Sequence, residues 1–435
     1  MPNQPNILFL FPDQLRFDWI AGDPSIPVRT PNLDRLRARG TTFTKTIVPS
    51  PLCAPCRAAL ALGVEYQNSP VPSNEQNVPL NAPTFYRLLR DAGYHTMGCG
   101  KFDLNKGDCT SRKPAWGLDG KKNLEAWGFS DGINNEGKMD GANSGRETPQ
   151  GPYLQFLENR GLRQTHLDDF SARIKTSSFA TALPDDAYCD NWIGQNGLDL
   201  IDAVPTNKPW FLQVNYNGPH NPWDITESMK SLYKDAQFPN PNANNDIDSE
   251  VHQDVRRNYS AMVENIDRWT GLFLDKLTEC GELENTIIVF SSDHGEMLGD
   301  QNLWGKTQPY HPSVSVPLVI AGPNIKHAQA NNPTTILDLP ATFLDYANAP
   351  IPDTMDSRSL RPFLEGQTNT HREVVLSSLR NWRMVYDGRF KYVEGFLDTP
   401  QFYDLETDPL ENHNLVTDPN AAEQRDRLKT HLQTQ

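Results

Sequence analysis

At 435 residues the chain exceeds one ordinary hydrophobic core, so two domains are expected, a large α/β domain over residues 1–350 and a small α+β subdomain over 351–435. Its composition, 37% hydrophobic and 22% charged, is that of a globular protein, and no apolar run approaches the length of a membrane span. The 40 basic and 55 acidic residues give a net charge of -15, which argues against a nucleic-acid surface and requires any anionic ligand to be drawn in by a local positive pocket.

Six cysteines (Cys53, Cys56, Cys99, Cys109, Cys189 and Cys280) show no disulfide-framework spacing, so reduced thiols are expected. The first residues carry no basic segment and run directly into a short apolar stretch, which reads as a first strand and points to a cytoplasmic protein.

In chain order, Asn6 to Phe11 is a continuous apolar run, as expected of a strand buried on both faces of a parallel sheet, and it ends in Pro12-Asp13-Gln14. Thr30 to Gly40 carries helix signals: Thr as N-cap, Pro at the first position, Gly as stop. Phe43 to Val48 reads as a strand leading to Cys53. Cys53 to Gly63 reads as an Ala/Leu-rich helix with Pro55 in its first turn, where a missing N–H costs nothing. A thiol and the Arg57 guanidinium at such a helix start favour an anion and a reactive cysteine. Cys53-Ala54-Pro55-Cys56 is also a C-x-x-C, which fits a redox or metal motif, or simply two buried thiols.

Pro83 to Ala92 repeats the helix pattern, and His95 to Gly100 is a short strand followed by Lys101-Phe102-Asp103. From Asp108 to Asp186 weak periodicity predicts long substrate-side loops with a few short helices, with Trp116, Trp127 and Arg146 lining a pocket. Trp210 to Tyr216 is a strand delivering His220. Asn258 to Glu279 is helical, and Thr286 to Phe290 is a buried strand ending at Asp293-His294. Val316 to Ile320 reads as a strand and Thr334 to Ala347 as a helix. Beyond Pro352, Val374 to Leu379, Trp382 to Tyr386 and Phe390 to Glu394 read as short antiparallel strands. The alternation predicts an α/β fold: a mainly parallel sheet flanked by helices, plus a small C-terminal antiparallel sheet.

Asp13, Gln14, Lys101, His220, Asp293 and His294 each stand just beyond the carboxyl end of a predicted strand, the edge where open parallel sheets bind ligands. Asp13, Gln14, Asp293 and His294 form a hard donor set that suits one divalent metal, Ca²⁺ first, with Mg²⁺ or Mn²⁺ also admissible. Taken singly, Asp13-Gln14 and Asp293-His294-Gly295 fit a turn or a helix cap equally well, and Lys101, Lys306 and His220 fit structural roles.

Cys53 to Gly63 resembles the signature of the type I sulfatases, C-x-P-x-R-x-x-x-x-x-G. The resemblance, within the alkaline-phosphatase-like superfamily, extends along most of the chain. Asn6 to Gln14 is similar to the first strand with its metal ligands, Gly100 to Leu104 to the G-K-W-H-L segment, and Gly218-Pro219-His220 to the substrate-side histidine. Asp293-His294-Gly295 is similar to the second metal pair, Gly305-Lys306 to a sulfate-binding lysine, and Gln401 to Asn412 to the C-terminal Y-D-L-x-x-D-P-x-E-x-x-N.

That resemblance implies a metal-dependent sulfate-ester hydrolase. Cys53 would be converted to formylglycine by a formylglycine-installing maturation enzyme; its hydrate would ligate the metal and attack sulfur. Arg57, Lys101 and Lys306 would offset sulfate charge, and His220 would protonate the leaving alcohol. The substrate implied is a small anionic sulfate ester, with sulfated sugars favoured; neither a nucleic-acid nor a membrane partner is expected, and the oligomeric state is left open. Three positions depart from the pattern. Gln14 replaces an aspartate, as in choline sulfatases and phosphonate monoester hydrolases. Cys56 replaces a serine, and Asp103 replaces the histidine that acts as base. Gln14 leaves open a phosphonate monoester or phosphodiester hydrolase, and Asp103 a non-catalytic sulfate- or glycan-binding protein.

Overall fold

Eight strands form the central sheet of the computed structural model, which describes residues 4–21, 24–171, 176–205, 207–243 and 249–434. They are β1 (Asn6–Leu10), β2 (Gly40–Phe43), β3 (His95–Gly100), β4 (Asp131–Asn134), β5 (Trp210–Asn215), β6 (Thr286–Ser291), β7 (Leu318–Ala321) and β8 (Ala328–Ala330). Their order is β8-β2-β7-β6-β1-β5-β3-β4. Every adjacent pair is parallel except those of β7, which runs antiparallel to both β6 and β2.

The apolar runs of the central strands follow from burial on both faces. In β1, Ile7 and Phe9 point into one core, while Leu8 and Leu10 point into the other. On the first face pack α2 (Cys53–Leu62), α3 (Phe85–Asp91) and α6 (Leu339–Tyr346). On the second pack α1 (Pro31–Arg37), α4 (Cys189–Asp202) and the long α5 (Ser249–Glu279). The fold is therefore the predicted α/β architecture.

Several local expectations resolve differently. The stretch 43–48 is not one strand: β2 ends at Phe43, and Thr46–Ile47 pairs with Thr334–Thr335 in a separate ladder. The latter residues are consequently extended, and α6 begins only at Leu339, after a 3-10 turn. Thr30 caps α1 in position only. The N–H groups of Asn32 and Leu33 donate instead to Asp267 of α5, at 3.1 and 2.7 Å. The region 108–186 holds short helices, as expected, and also β4, the edge strand of the sheet. Trp116 and Trp127 do not line a pocket there; they are 3% and 0% exposed, Trp127 within the first core.

At the C-terminal end, β9 (Val375–Leu379), β10 (Trp382–Tyr386), β11 (Phe390–Glu394) and β12 (Gln401–Asp404) form an antiparallel sheet. One face (Val375, Leu379, Met384) joins the core of α2 and α6; the other (Leu376, Val385, Tyr392) packs on Leu428 and Leu432 of α7 (Ala422–Gln433). Among the described residues no helix is long and apolar enough to cross a membrane.

Candidate active site

The four strands β6, β1, β5 and β3 are consecutive in the sheet, so the segments leaving their carboxyl ends meet. They bring Asp293-His294, Asp13-Gln14, His220 and Lys101 together. The Asp13 N–H donates to the Gly218 carbonyl at 3.1 Å, which ties the β1 exit to the β5 exit. Gln14 adopts a left-handed backbone (φ 69), and its N–H donates to Asp293 Oδ1 at 3.0 Å, tying β1 to β6. Gly100 (φ 100) lets β3 approach so closely that a Cβ there would lie 1.9 Å from the Asn215 carbonyl oxygen. Lys101 is placed by that contact.

The first turn of α2 points Cys53 into this convergence. Its Sγ lies 3.3 Å from His294 Nε2, 3.9 Å from each Asp13 oxygen, 3.0 Å from Lys306 Nζ and 3.7 Å from Lys101 Nζ. Burial and the Asp13 carboxylate push the thiol's pKa up, but Lys101, Lys306 and His294 outweigh them and bring it to about 6. Burial and Asp293 instead drive Cys56, on the next turn, well above the usual thiol range. All six cysteines are free. The C-x-x-C thus consists of one activated and one inert thiol.

Asp13, Cys53, Asp293 and His294 offer ligand atoms that all lie within 4.8 Å of one another, all buried. The Nδ1 of His294 faces the Gly295 carbonyl at 3.1 Å, which leaves Nε2 as an acceptor aimed at Asp13 and Asp293, 3.5 Å from each. Such a convergence of buried acceptors fits a cation. Lysine ammonium groups hold part of it: Lys101 on Asp13 and Lys306 on Gln14 Oε1, the latter at 2.6 Å. Burial would raise the Asp13 pKa, yet Lys101 and Lys306 hold it well below the carboxylate range.

Arg57 is a strut beneath the site. Its Nε donates to Asp293 at 2.9 Å and its Nη1 to the Lys101 carbonyl at 2.7 Å and Asn215 Oδ1 at 3.0 Å. Its guanidinium lies 5.0 Å over the Phe11 ring, and Nη2 is buried without a hydrogen-bond partner among the described residues. Asp103 lies 3.2 Å from Lys101 and 3.5 Å from Lys106; burial would raise its pKa, but these lysines and Arg57 bring it down to about 2. His220 turns Nδ1 to the Asn221 carbonyl, and burial and Lys306 lower its pKa well below the usual histidine value.

Cys53, Lys101, His220 and Lys306 line a cavity of about 300 Å³, with Asn74, Lys106, Lys138, Asp140, Asn217 and Asn221. Asp13, Asp293, His294 and Arg57 are buried and do not themselves line it. Arg146 lines a neighbouring cavity instead. His95 sits at the opposite end of β3, and His311 is held between Phe17 and Tyr386; neither joins the site. Sequence reasoning missed Glu296, whose carboxylate accepts from Gln14 Nε2, and Asn74, which accepts from the Ala54 N–H at 3.1 Å. Glu296, two residues beyond His294, had a local signal; Asn74 had none.

Comparison with known proteins identifies the family. A family model described as Sulfatase matches residues 5–349, and one described as N-sulphoglucosamine sulphohydrolase, C-terminal, matches residues 299–435. A choline-sulfatase from Rhizobium meliloti is 30% identical, covering 96% of this chain and 83% of the relative. An arylsulfatase from Clostridium perfringens is 27% identical, covering 98% and 93% respectively. The fold is also similar to the crystal structure of a phosphonate monoester hydrolase from Agrobacterium radiobacter (TM-score 0.82, 24% identity, 99% and 95% covered).

Proposed function

The chain belongs to the sulfatase family and is a sulfuric ester hydrolase, and from that premise we propose that Cys53 is the nucleophilic position of a metal-dependent sulfatase acting on a small sulfate ester. One observation carries the reading: the only activated thiol of the C-x-x-C, at the start of α2, faces Lys306, Lys101 and a buried acceptor set at once. Matured to formylglycine, position 53 would supply a hydrated aldehyde to attack sulfur and a second hydroxyl to release sulfate. A divalent cation held by Asp13, Gln14, Asp293 and His294, Ca²⁺ first, would supply polarisation of the sulfate oxygens and a lowered pKa for the attacking hydroxyl.

The chain's own groups do the rest. Lys101 and Lys306 place positive charge beside Cys53, where the sulfate oxygens gain charge. Arg57 holds Asp293 and the Lys101 backbone in place. His220, with Nδ1 committed to the Asn221 carbonyl, is neutral at rest, and the negative charge of a bound sulfate ester would raise its pKa so that Nε2 carries the proton taken by the leaving oxygen. Asp103 orients Lys101 and Lys106 between its two oxygens. Among the described residues no Phe, Tyr or Trp lines the cavity, so a polar, sugar-like leaving group suits it better than a quaternary ammonium or a flat aryl group.

The test is the intact mass of the Cys53 peptide from protein made in a host able to install formylglycine. Conversion at Cys53 with Cys56 untouched supports the reading; an unmodified Cys53 in a competent host sinks it. Gln14 favours a second reading, phosphonate monoester or phosphodiester hydrolysis. Sulfate monoesters, phosphonate monoesters and phosphodiesters are all monoanions, so charge alone does not separate them. Rates on matched 4-nitrophenyl sulfate, phenylphosphonate and phosphodiester substrates do.

A further inference from the structure

The cavity over Cys53 does not end at its rim. Thr110 and Asp140 line it and also line an adjoining cavity of about 610 Å³. Two short helices wall both: Lys106–Thr110 presents Lys106 inward and Thr110 to both cavities, and Lys138–Ser144 presents Lys138 inward and Asn143 outward. The Lys106–Asp140 ion pair joins the two walls at the junction.

The outer cavity differs from the inner one in how its cations are used. Lys101, Lys106 and Lys138 in the inner cavity are each committed to carboxylates. In the outer cavity Arg112, Lys113 and Arg146 are exposed, and among the described residues none of them forms an ion pair. Among the described residues the Arg146 guanidinium has only the side-chain oxygen of Asn143, at 3.5 Å. Three uncommitted cations round one concavity, in a chain of net charge -15, create a local positive field where the global field repels anions.

We propose that this outer cavity is a second anion subsite, so that the substrate is an ester whose alcohol portion carries a further negative group, a carboxylate or a second sulfate, read by Arg112, Lys113 and Arg146. The proposal rests on the sulfatase reading for its inner site. It extends the substrate from a single small sulfate ester to an acidic one of roughly disaccharide reach, running from Cys53 past Asp140.

The experiment uses full-length matured protein and a triple variant, Arg112→Gln, Lys113→Gln, Arg146→Gln. Hydrolysis of 4-nitrophenyl sulfate is inhibited with a monosulfated chondroitin disaccharide, as its uronic acid and as the methyl ester, which keeps the sulfate but loses the carboxylate charge. The acid is expected to bind at least tenfold tighter than the ester to the native protein, with that advantage lost in the variant. No advantage in the native protein, or one that survives in the variant, overturns the subsite. Absence of 4-nitrophenyl sulfate hydrolysis would count against the function reading instead. Calorimetric titration of the same two compounds into both proteins then decides the subsite by the same tenfold criterion.

Discussion

The Asp103 carboxylate lies 3.2 Å from the Lys101 ammonium, and that same ammonium also contacts Asp13 at the metal-like set. Asp103 stands where the family resemblance places a histidine, and its pKa of about 2, set by burial against Lys101, Lys106 and Arg57, makes it a permanent anion under working conditions.

Asp103→Asn is therefore expected to act through Lys101. Removing one member of a buried ionic network leaves an uncompensated charge and costs about 3–5 kcal/mol. We expect a drop of about 10²-fold in kcat with a lowered Tm. A lowered folded-state pKa contributes stability above the unfolded value and loses it as pH falls through about 2, so Asp103 adds no limb to the kcat/KM profile between pH 5 and 9. A limb in that range, abolished in Asp103→Asn, would assign Asp103 as the base.

Before maturation the two thiols of α2 are expected to react very differently. Cys53, at about 6, is thiolate at neutral pH, and Cys56, driven up by burial and Asp293, is not. Mass spectrometry after brief iodoacetamide treatment should find Cys53 alkylated first, at a rate rising through pH 6. Cys53→Ala should abolish turnover. Cys56→Ser should retain it within a few-fold, with a stability loss of about 1 kcal/mol from the buried hydroxyl.

Chelation should remove activity, and Ca²⁺ should restore it most fully. The ion would bind the folded chain only, so Tm should rise with its concentration, by about 2.7 kcal/mol of stability at a hundredfold excess over Kd. Asp293→Asn should lose both the Tm rise and the activity. A Tm that does not respond to any divalent ion in the native protein contradicts the assigned ligand set.

His220→Gln is expected to slow alkyl sulfates more than 4-nitrophenyl sulfate, because a good leaving group needs little protonation. A difference of about 10²-fold between the two substrate types fits the proton-donor role. Equal losses on both would make His220 a binding residue.

Much of this protein is written locally. The apolar runs that follow Asn6 and Thr286, and the largely apolar Trp210 to Asn215, reveal strands covered on both faces. Polar residues placed just past those runs reveal the site, because a parallel sheet sends every such exit to the same edge. The signature at Cys53 and Arg57, with a proline where α2 has no use for an N–H, is legible for the same reason. Six cysteines without a framework read as free thiols, and they are.

Partnership, by contrast, was decided only in three dimensions. Arg57 reads as a sulfate contact, yet it reaches 236 positions along the chain to Asp293. Trp116 and Trp127 read as pocket aromatics from a loop-like stretch, and packing buries them. Hydropathy periodicity records which way a residue faces within its own element. For Cys53 and Arg57, partners such as Lys306 and Asp293 come from segments more than two hundred residues away, and only the assembled sheet brings them within a few ångströms.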